Sequence, residues 1–328
     1  MHGQSIILHT LLAGIIAQPE TLHLAALQGD EMSAARLISA GSNLNTADPQ
    51  GRTPLHAAAL AGGNQAVAAT LLEAGATADM VDSAGHTALS VAAFRGHINI
   101  AAVLLDHGAS PELAASSGLS PLHLAALAGH VTMSTLLLDR GAKPDVLHAS
   151  LDYTPLQVAA SHGHVSVAAL LLRRGAAFDA ADVRGHTALH AASAAGQISM
   201  TALLLDYARS AGHSSGSTSG TASKGFTPLH AAALAGHSEV ITLLLDDADA
   251  GGAGAGSAGA GSAGAGGAGA GSAGAGGAGA GGAGAGGAGA GGAAGAVDAA
   301  THDELETPLK MAASRGHSSA TYVSAAAL

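Results

Sequence analysis

A four-residue line recurs along this chain at intervals near 33 residues, and a chain built that way folds as a stack of similar units. It reads Thr53-Pro54-Leu55-His56, Thr87-Ala88-Leu89-Ser90, Ser120-Pro121-Leu122-His123 and Thr154-Pro155-Leu156-Gln157. It continues as Thr187-Ala188-Leu189-His190, Thr227-Pro228-Leu229-His230 and Thr307-Pro308-Leu309-Lys310, and a degenerate first copy stands at Glu20-Thr21-Leu22-His23. Successive starts lie 33, 34, 33, 34, 33, 40 and 80 residues apart. Five positions after every start there is an Ala, and nine positions after it a Gly, from Gly29, Gly62 and Gly96 through Gly236 and Gly316. A second apolar pair follows in most units, as at Leu71-Leu72, Leu104-Leu105, Leu137-Leu138, Leu171-Leu172, Leu204-Leu205 and Leu244-Leu245.

Each element of this pattern has a physical meaning. Thr or Ser at the start caps a helix with its hydroxyl, and Pro suits the first helical turn. The Leu and the small Ala positions share one face, where Ala lets neighbouring helices approach closely. The Gly ends the short first helix in the left-handed conformation. Spacings such as Val240 with Leu244 and Ile241 with Leu245 mark a second helix, and a second Gly (Gly75, Gly108, Gly141, Gly175) ends it. A turn follows, as in Asp48-Pro49-Gln50-Gly51 or Asp182-Val183-Arg184-Gly185. One unit is therefore a helix, a tight turn, a second helix and a projecting finger.

The T-P-L-H-x-A-A opening followed by x-x-G-H resembles the ankyrin repeat. The resemblance covers residues 20 to about 250, with seven repeats starting near 20, 53, 87, 120, 154, 187 and 227, and resumes at 307–328. It implies an all-α solenoid of L-shaped repeats whose fingers and first helices form the concave face.

The register is interrupted at four places. Repeat two carries an extra residue at Gly62-Gly63, and the finger before repeat five carries one between His148 and Tyr153. A Gly/Ser-rich loop is expected over 211–224. A Gly/Ala tract over 251–296 buries too little surface to offset the ordering of its backbone, and is expected to be a disordered insertion. As a flexible chain it would span about 35–40 Å. Residues 297–328 then read as an eighth, incomplete repeat, with Ser324-Ala325 where the others have Leu-Leu. At the other end, residues 1–19 hold an apolar stretch, Ile6 to Ala17, too short to span a bilayer. It is expected to be an amphipathic helix closing the stack. A secretory leader is the competing reading, but no Lys or Arg precedes the stretch and Ile15-Ile16-Ala17 is a poor cleavage triplet.

The composition removes several kinds of chemistry. There is no cysteine, hence no disulfide, thiolate metal site or cysteine nucleophile. The formal net charge is −11 and only Arg173 and Arg174 are adjacent, so a nucleic-acid footprint is missing. The 19 histidines invite a metal reading. Most, however, fall on two register positions: the fourth (His23, His56, His123, His190, His230) and the one after the helix-ending Gly (His97, His130, His164, His237, His317). There they are expected to bond the neighbouring repeat's backbone and the Thr hydroxyl. His162 and His164 form a close pair with no third ligand nearby in sequence. Gly212-His213-Ser214-Ser215-Gly216 matches a nucleophile elbow only in letters, because no strand-turn-helix frames it. No catalytic residue, cofactor or metal is expected.

Function then rests on the resemblance. In the family, partners touch the fingers and two first-helix positions seven and eight places after each start. Carried onto this sequence, the pairs run from Leu27/Gln28 and Leu60/Ala61 through Phe94/Arg95, Leu127/Ala128, Ser161/His162 and Ala194/Ala195 to Leu234/Ala235 and Ser314/Arg315. The finger residues are Arg52, His86, Leu119, Tyr153, His186 and Phe226. Interfaces favour aromatic residues and Arg. The predicted partner patch is therefore Phe94, Arg95, Leu127, Tyr153 and His162, centred on repeats three to five, with Leu60 and Arg52 at its edge. The expected function is a non-catalytic scaffold or adaptor for another protein; the alternative is a regulatory or substrate-recruiting segment of a larger enzyme or signalling complex. A monomer is expected, cytoplasmic or nuclear, with neither nucleic acid nor membrane as partner; secretion is the alternative compartment.

Overall fold

The computed structural model describes residues 21–212 and 225–254, and among these the chain is helical, with one isolated bridge between Val81 and Thr87. Seven short first helices alternate with seven second helices. The first three pairs are α1 (Leu22–Gln28) with α2 (Glu31–Ser39), α3 (Pro54–Ala61) with α4 (Gln65–Glu73), and α5 (Ala88–Arg95) with α6 (Ile98–Asp106). The middle pairs are α7 (Pro121–Ala128) with α8 (Val131–Asp139) and α9 (Pro155–Ser161) with α10 (Val165–Arg173). The last are α11 (Ala188–Ala194) with α12 (Ile198–Ser210) and α13 (Pro228–Ala235) with α14 (Ser238–Gly254). First helices stack on first helices and second on second. The expected capping segment at 1–19, the tract from 255 onward and the eighth repeat lie outside the described residues, as does most of the Gly/Ser-rich loop.

The first helices begin as the sequence dictates. Thr87, Ser120, Thr154 and Thr227 accept the N3 backbone N–H with their hydroxyls. In repeat one the cap is Thr21 rather than the first motif position, so α1 opens one residue later. The fourth-position side chain adds a second bond. His56 Nδ1 accepts the Thr53 backbone N–H at 3.1 Å, so Nε2 carries the proton and donates to His86 O at 2.8 Å in the next repeat. His123 reaches Tyr153 O at 3.0 Å, His190 reaches Phe226 O at 3.1 Å and His23 reaches Arg52 O at 2.7 Å. The Thr hydroxyl in this arrangement belongs to the histidine's own repeat and the carbonyl to its neighbour.

The second histidine class points the other way along the stack. His97 bonds Ala59 O at 2.8 Å, His130 bonds Phe94 O at 3.1 Å and His164 bonds Leu127 O at 3.0 Å, each at the end of the preceding first helix. This fixes the Gly at that helix end twice over. Gly62 has φ +82°, and a Cβ there would lie 2.4 Å from the His97 ring. In repeat two Asn64 takes the histidine's place and bonds Ala26 O at 2.7 Å; the extra Gly63 fits between Gly62 and Asn64.

The core is a continuous strip of Leu, Val, Ile and Met with Ala at the closest approaches. Each of Ala58, Ala92, Ala125, Ala159 and Ala232 is fully buried. Two second helices run past the length the others share. Where Gly75, Gly108, Gly141 and Gly175 follow the earlier ones, repeats six and seven have Ala208 and Ala248, so nothing stops α12 and α14.

Candidate functional site

On the concave face the fingers stand over the first helices, and their shape is set locally. Asp182 accepts backbone N–H groups from Arg184 at 2.9 Å and His186 at 2.8 Å, closing the finger tip. Asp48 and Asp82 do the same in their own fingers. Burial alone would raise the Asp48 carboxyl, but the bonds from the Arg52 side chain and backbone and from Gln50 outweigh it and hold its pKa below the usual value. The finger of repeat five is one residue longer. His148 stands at the Asp position and its Nδ1 accepts from Ser150 and Leu151 N–H, both at 3.2 Å. Asp152, at φ +55°, takes the left-handed site that Gly holds in the other fingers.

Between the fingers and first helices of repeats four to seven runs a groove of about 1010 Å³. Its floor is Leu127, Val158, Ser161, His162, Ala191, Ala194 and Leu234. Its finger wall is Leu119, Tyr153, Val183, Arg184, His186 and Phe226. Apolar side chains predominate, with a few polar groups placed among them, the usual make-up of a binding cleft.

The wall is braced from behind. Tyr153 stacks on His148 with ring centroids 4.3 Å apart and meets His123 edge-on at 5.7 Å. Phe226 packs against His186 at 5.8 Å and His230 at 5.6 Å. Burial pushes His190 down to about 4 against the opposing pull of the Phe226 carbonyl, and His123 likewise to about 4 against that of Tyr153. Both imidazoles are neutral at pH 7, as their bonding requires: a proton on Nδ1 would face the N–H it accepts. Burial also raises the Tyr153 phenol, which stays protonated. His186 Nδ1 lies 3.6 Å from Asp182 Oδ2 at the finger of the same wall.

Of the seven residues singled out from sequence, Leu127, Tyr153 and His162 line the groove together. Phe94 and Arg95 do not line it; both are exposed at the end of α5, Phe94 by 47%. Leu60 is half-buried at the end of α3, and Arg52 is held by Asp48 at 2.7 Å. Nothing in the sequence patch named Val158, Ala191, Val183 or Arg184, and Phe226 was only one finger residue among six. The signal that could have found them is smallness. Ser161 and Ala194 occupy the first-helix position that Phe94 fills in repeat three, and small side chains there leave the volume open.

No group of three metal-ligating side chains comes together among the described residues, and no helix among them is long and apolar enough to cross a membrane. His162 Nδ1 bonds Val158 O at 3.0 Å and His164 bonds the preceding repeat, although their rings lie 6.2 Å apart.

A family model described as ankyrin repeats (3 copies) matches in overlapping windows at residues 22–115, 71–148, 112–182 and 175–252. The crystal structure of the human ASB11 ankyrin repeat domain is 31% identical, with a TM-score of 0.60, covering 70% of this chain and 97% of that one. The ankyrin repeat domain of Bcl-3, a member of the IkappaB protein family, is 30% identical with a TM-score of 0.59, covering 69% of this chain and 98% of that one. No curated protein sequence matches.

Proposed function

Because the chain belongs to the ankyrin-repeat family, whose repeats are generally non-catalytic protein-interaction modules, we propose that it is a scaffold or adaptor that holds a segment of another protein in the groove of repeats four to seven. The observation that carries this reading is the groove itself: open volume over small first-helix residues, beside a wall of Tyr153, His186 and Phe226 already locked by packing. Aromatic anchors held in place lose little entropy when a partner docks. The net charge of −11 favours a protein partner over a nucleic acid. At about 10 Å per stacked helix the groove is roughly 30 Å long. That suits about nine extended residues, or roughly twenty helical ones.

The test is to fill the groove without disturbing the stack. Peptides selected from a displayed library on the wild-type chain should lose at least tenfold in affinity for Ala194→Trp and for Phe226→Ala, about 1.4 kcal/mol or more. The pair Phe94→Ala and Arg95→Ala should bind them nearly as well as wild type. Loss at Phe94 and Arg95 with full binding by Ala194→Trp would move the site to repeats three to five and refute the groove.

A further inference from the structure

The groove of repeats four to seven is largely apolar, and its few charged groups differ in what they can still bond. Among the described residues, Asp182 is the only carboxylate that lines it and Arg184 the only Lys or Arg. The carboxylate is already used. Asp182 Oδ1 accepts the Arg184 N–H at 2.9 Å and the His186 N–H at 2.8 Å, its Oδ2 faces His186 Nδ1 at 3.6 Å, and its side chain is 18% exposed. Arg184 is exposed at the finger tip. A guanidinium carries five N–H donors, so a carboxylate that takes two of them leaves three for any other bond. Much of the remaining polar lining is also engaged. Gln157 and His190 are bonded through both side-chain ends, Ser161 Oγ donates to Val158 O at 2.9 Å, and His162 Nδ1 bonds the same carbonyl at 3.0 Å.

The tip that carries Arg184 is fixed from two sides. Besides the two bonds to Asp182, the Val183 N–H donates to Leu151 O of the preceding finger at 3.3 Å. Arg184, on the finger of repeat six, therefore stands on a set backbone between Tyr153 on the finger of repeat five and Phe226 on that of repeat seven. Opposite charges attract more strongly where apolar side chains keep water away. The net charge of −11 opposes an acidic partner at long range. Much of that charge, however, lies behind the groove. Asp106, Asp139 and Asp206, near the ends of the second helices, are paired with Arg140, Arg174 and Arg209 at 2.6, 2.8 and 2.9 Å. Second helices pack about 10 Å behind the first, and a Debye length of about 8 Å at physiological salt screens what remains. The cation inside the groove therefore decides the sign. Resting on the reading that this groove holds a protein segment, we infer that the segment is apolar and carries one Asp or Glu whose carboxylate meets Arg184. A basic segment would set like charges together, and a wholly apolar one would cover the guanidinium without answering its charge.

Random peptides of about twelve residues, displayed and selected on the full-length chain, test this in two steps. Those whose affinity falls roughly tenfold or more with Ala194→Trp are the groove binders. They should share an Asp or Glu at one aligned position among apolar residues. Replacing that residue by Asn or Gln should weaken binding about tenfold on the wild-type chain and less than about twofold on Arg184→Gln. A second selection on Arg184→Glu should exchange the acidic position for Lys or Arg, which a change in folding alone would not produce. Groove binders without an acidic position, or with a basic one, selected on the wild-type chain would overturn the inference and leave the groove reading in place. Equal losses from the peptide change on wild type and on Arg184→Gln would do the same, since the carboxylate would then meet another group. A selection that returns no peptide sensitive to Ala194→Trp would sink the groove reading, and the inference with it.

Discussion

Ser193 Oγ and Thr201 Oγ1 are buried and have no hydrogen-bond partner among the described residues. A buried hydroxyl without a partner costs about 1–3 kcal/mol relative to its hydrated state. At the position of Ser193 the other repeats have Ala59, Ala93, Ala126, Ala160 and Ala233, all fully buried, so the site accepts Ala without rearrangement. Ser193→Ala should therefore stabilise the protein by about 1 kcal/mol, raising the thermal midpoint by roughly 2–4 °C. Ser134, in register with Thr201, makes the opposite case. Its hydroxyl donates to His130 O at 2.9 Å, and Ser134→Ala should be neutral or slightly destabilising. Calorimetry on the two variants distinguishes them, and an unchanged or lowered midpoint for Ser193→Ala would mean that its hydroxyl is satisfied after all.

At the level of elements, the clearest case is α12, 13 residues long where the second helices of repeats two to five have 9. Ala208 stands where those repeats have Gly, and Tyr207 beside it lies 6.0 Å from Phe178 of the preceding repeat. Ala208→Gly should cost about 1 kcal/mol through backbone entropy. It should also strip hydrogen-exchange protection from the Ala211 and Gly212 amides, which bond back to Tyr207 and Arg209. Protection in α10 should not change, and equal protection in both proteins would show that the extra turn does not depend on the missing Gly. This element also marks what could be read from sequence. The helix starts, the glycine turns and both histidine roles were legible because each rests on two or three residues repeated in register. The over-running helix required noticing a Gly that was absent. The groove was less legible still, because it is a volume left by Ser161, Ala191 and Ala194, while a search guided by large side chains stops at Phe94 and Arg95. Leu127, Tyr153 and His162, which line the groove, could be named from the sequence because the repeat positions them and they are large enough to attract attention.

Across the whole molecule, the fourth-position side chains tie repeats end to end, from His23, His56, His123 and His190 to the carbonyl of the next finger, with one gap at Ser90, whose hydroxyl turns back to Thr87 O. Each buried imidazole works only when neutral, which makes the stack acid-sensitive. His123 and His190 titrate at about 4 in the folded chain, below the ordinary 6.5, and His56 is lowered in the same sense by burial. The unfolded chain therefore binds more protons between pH 6.5 and 4. Stability is complete above about pH 6.5, falls as the pH drops towards 4, and levels off below it as far as these groups are concerned. The loss is about 3 kcal/mol for each of His123 and His190. The carboxylates Asp30 and Asp48 are held below 3.8 and add their own loss only at lower pH. Repeat five shows what can replace the imidazole. Gln157 Oε1 accepts the Thr154 N–H at 2.6 Å, while its Nε2 donates to Ala180 O at 3.3 Å and to the His186 carbonyl of the next finger. Glutamine makes both bonds and does not titrate. The double variant His123→Gln/His190→Gln should match wild type in urea midpoint at pH 7.5 and exceed it clearly at pH 4.5. Parallel loss of stability in the two proteins over that range would mean that protonation of these histidines is not what loosens the stack.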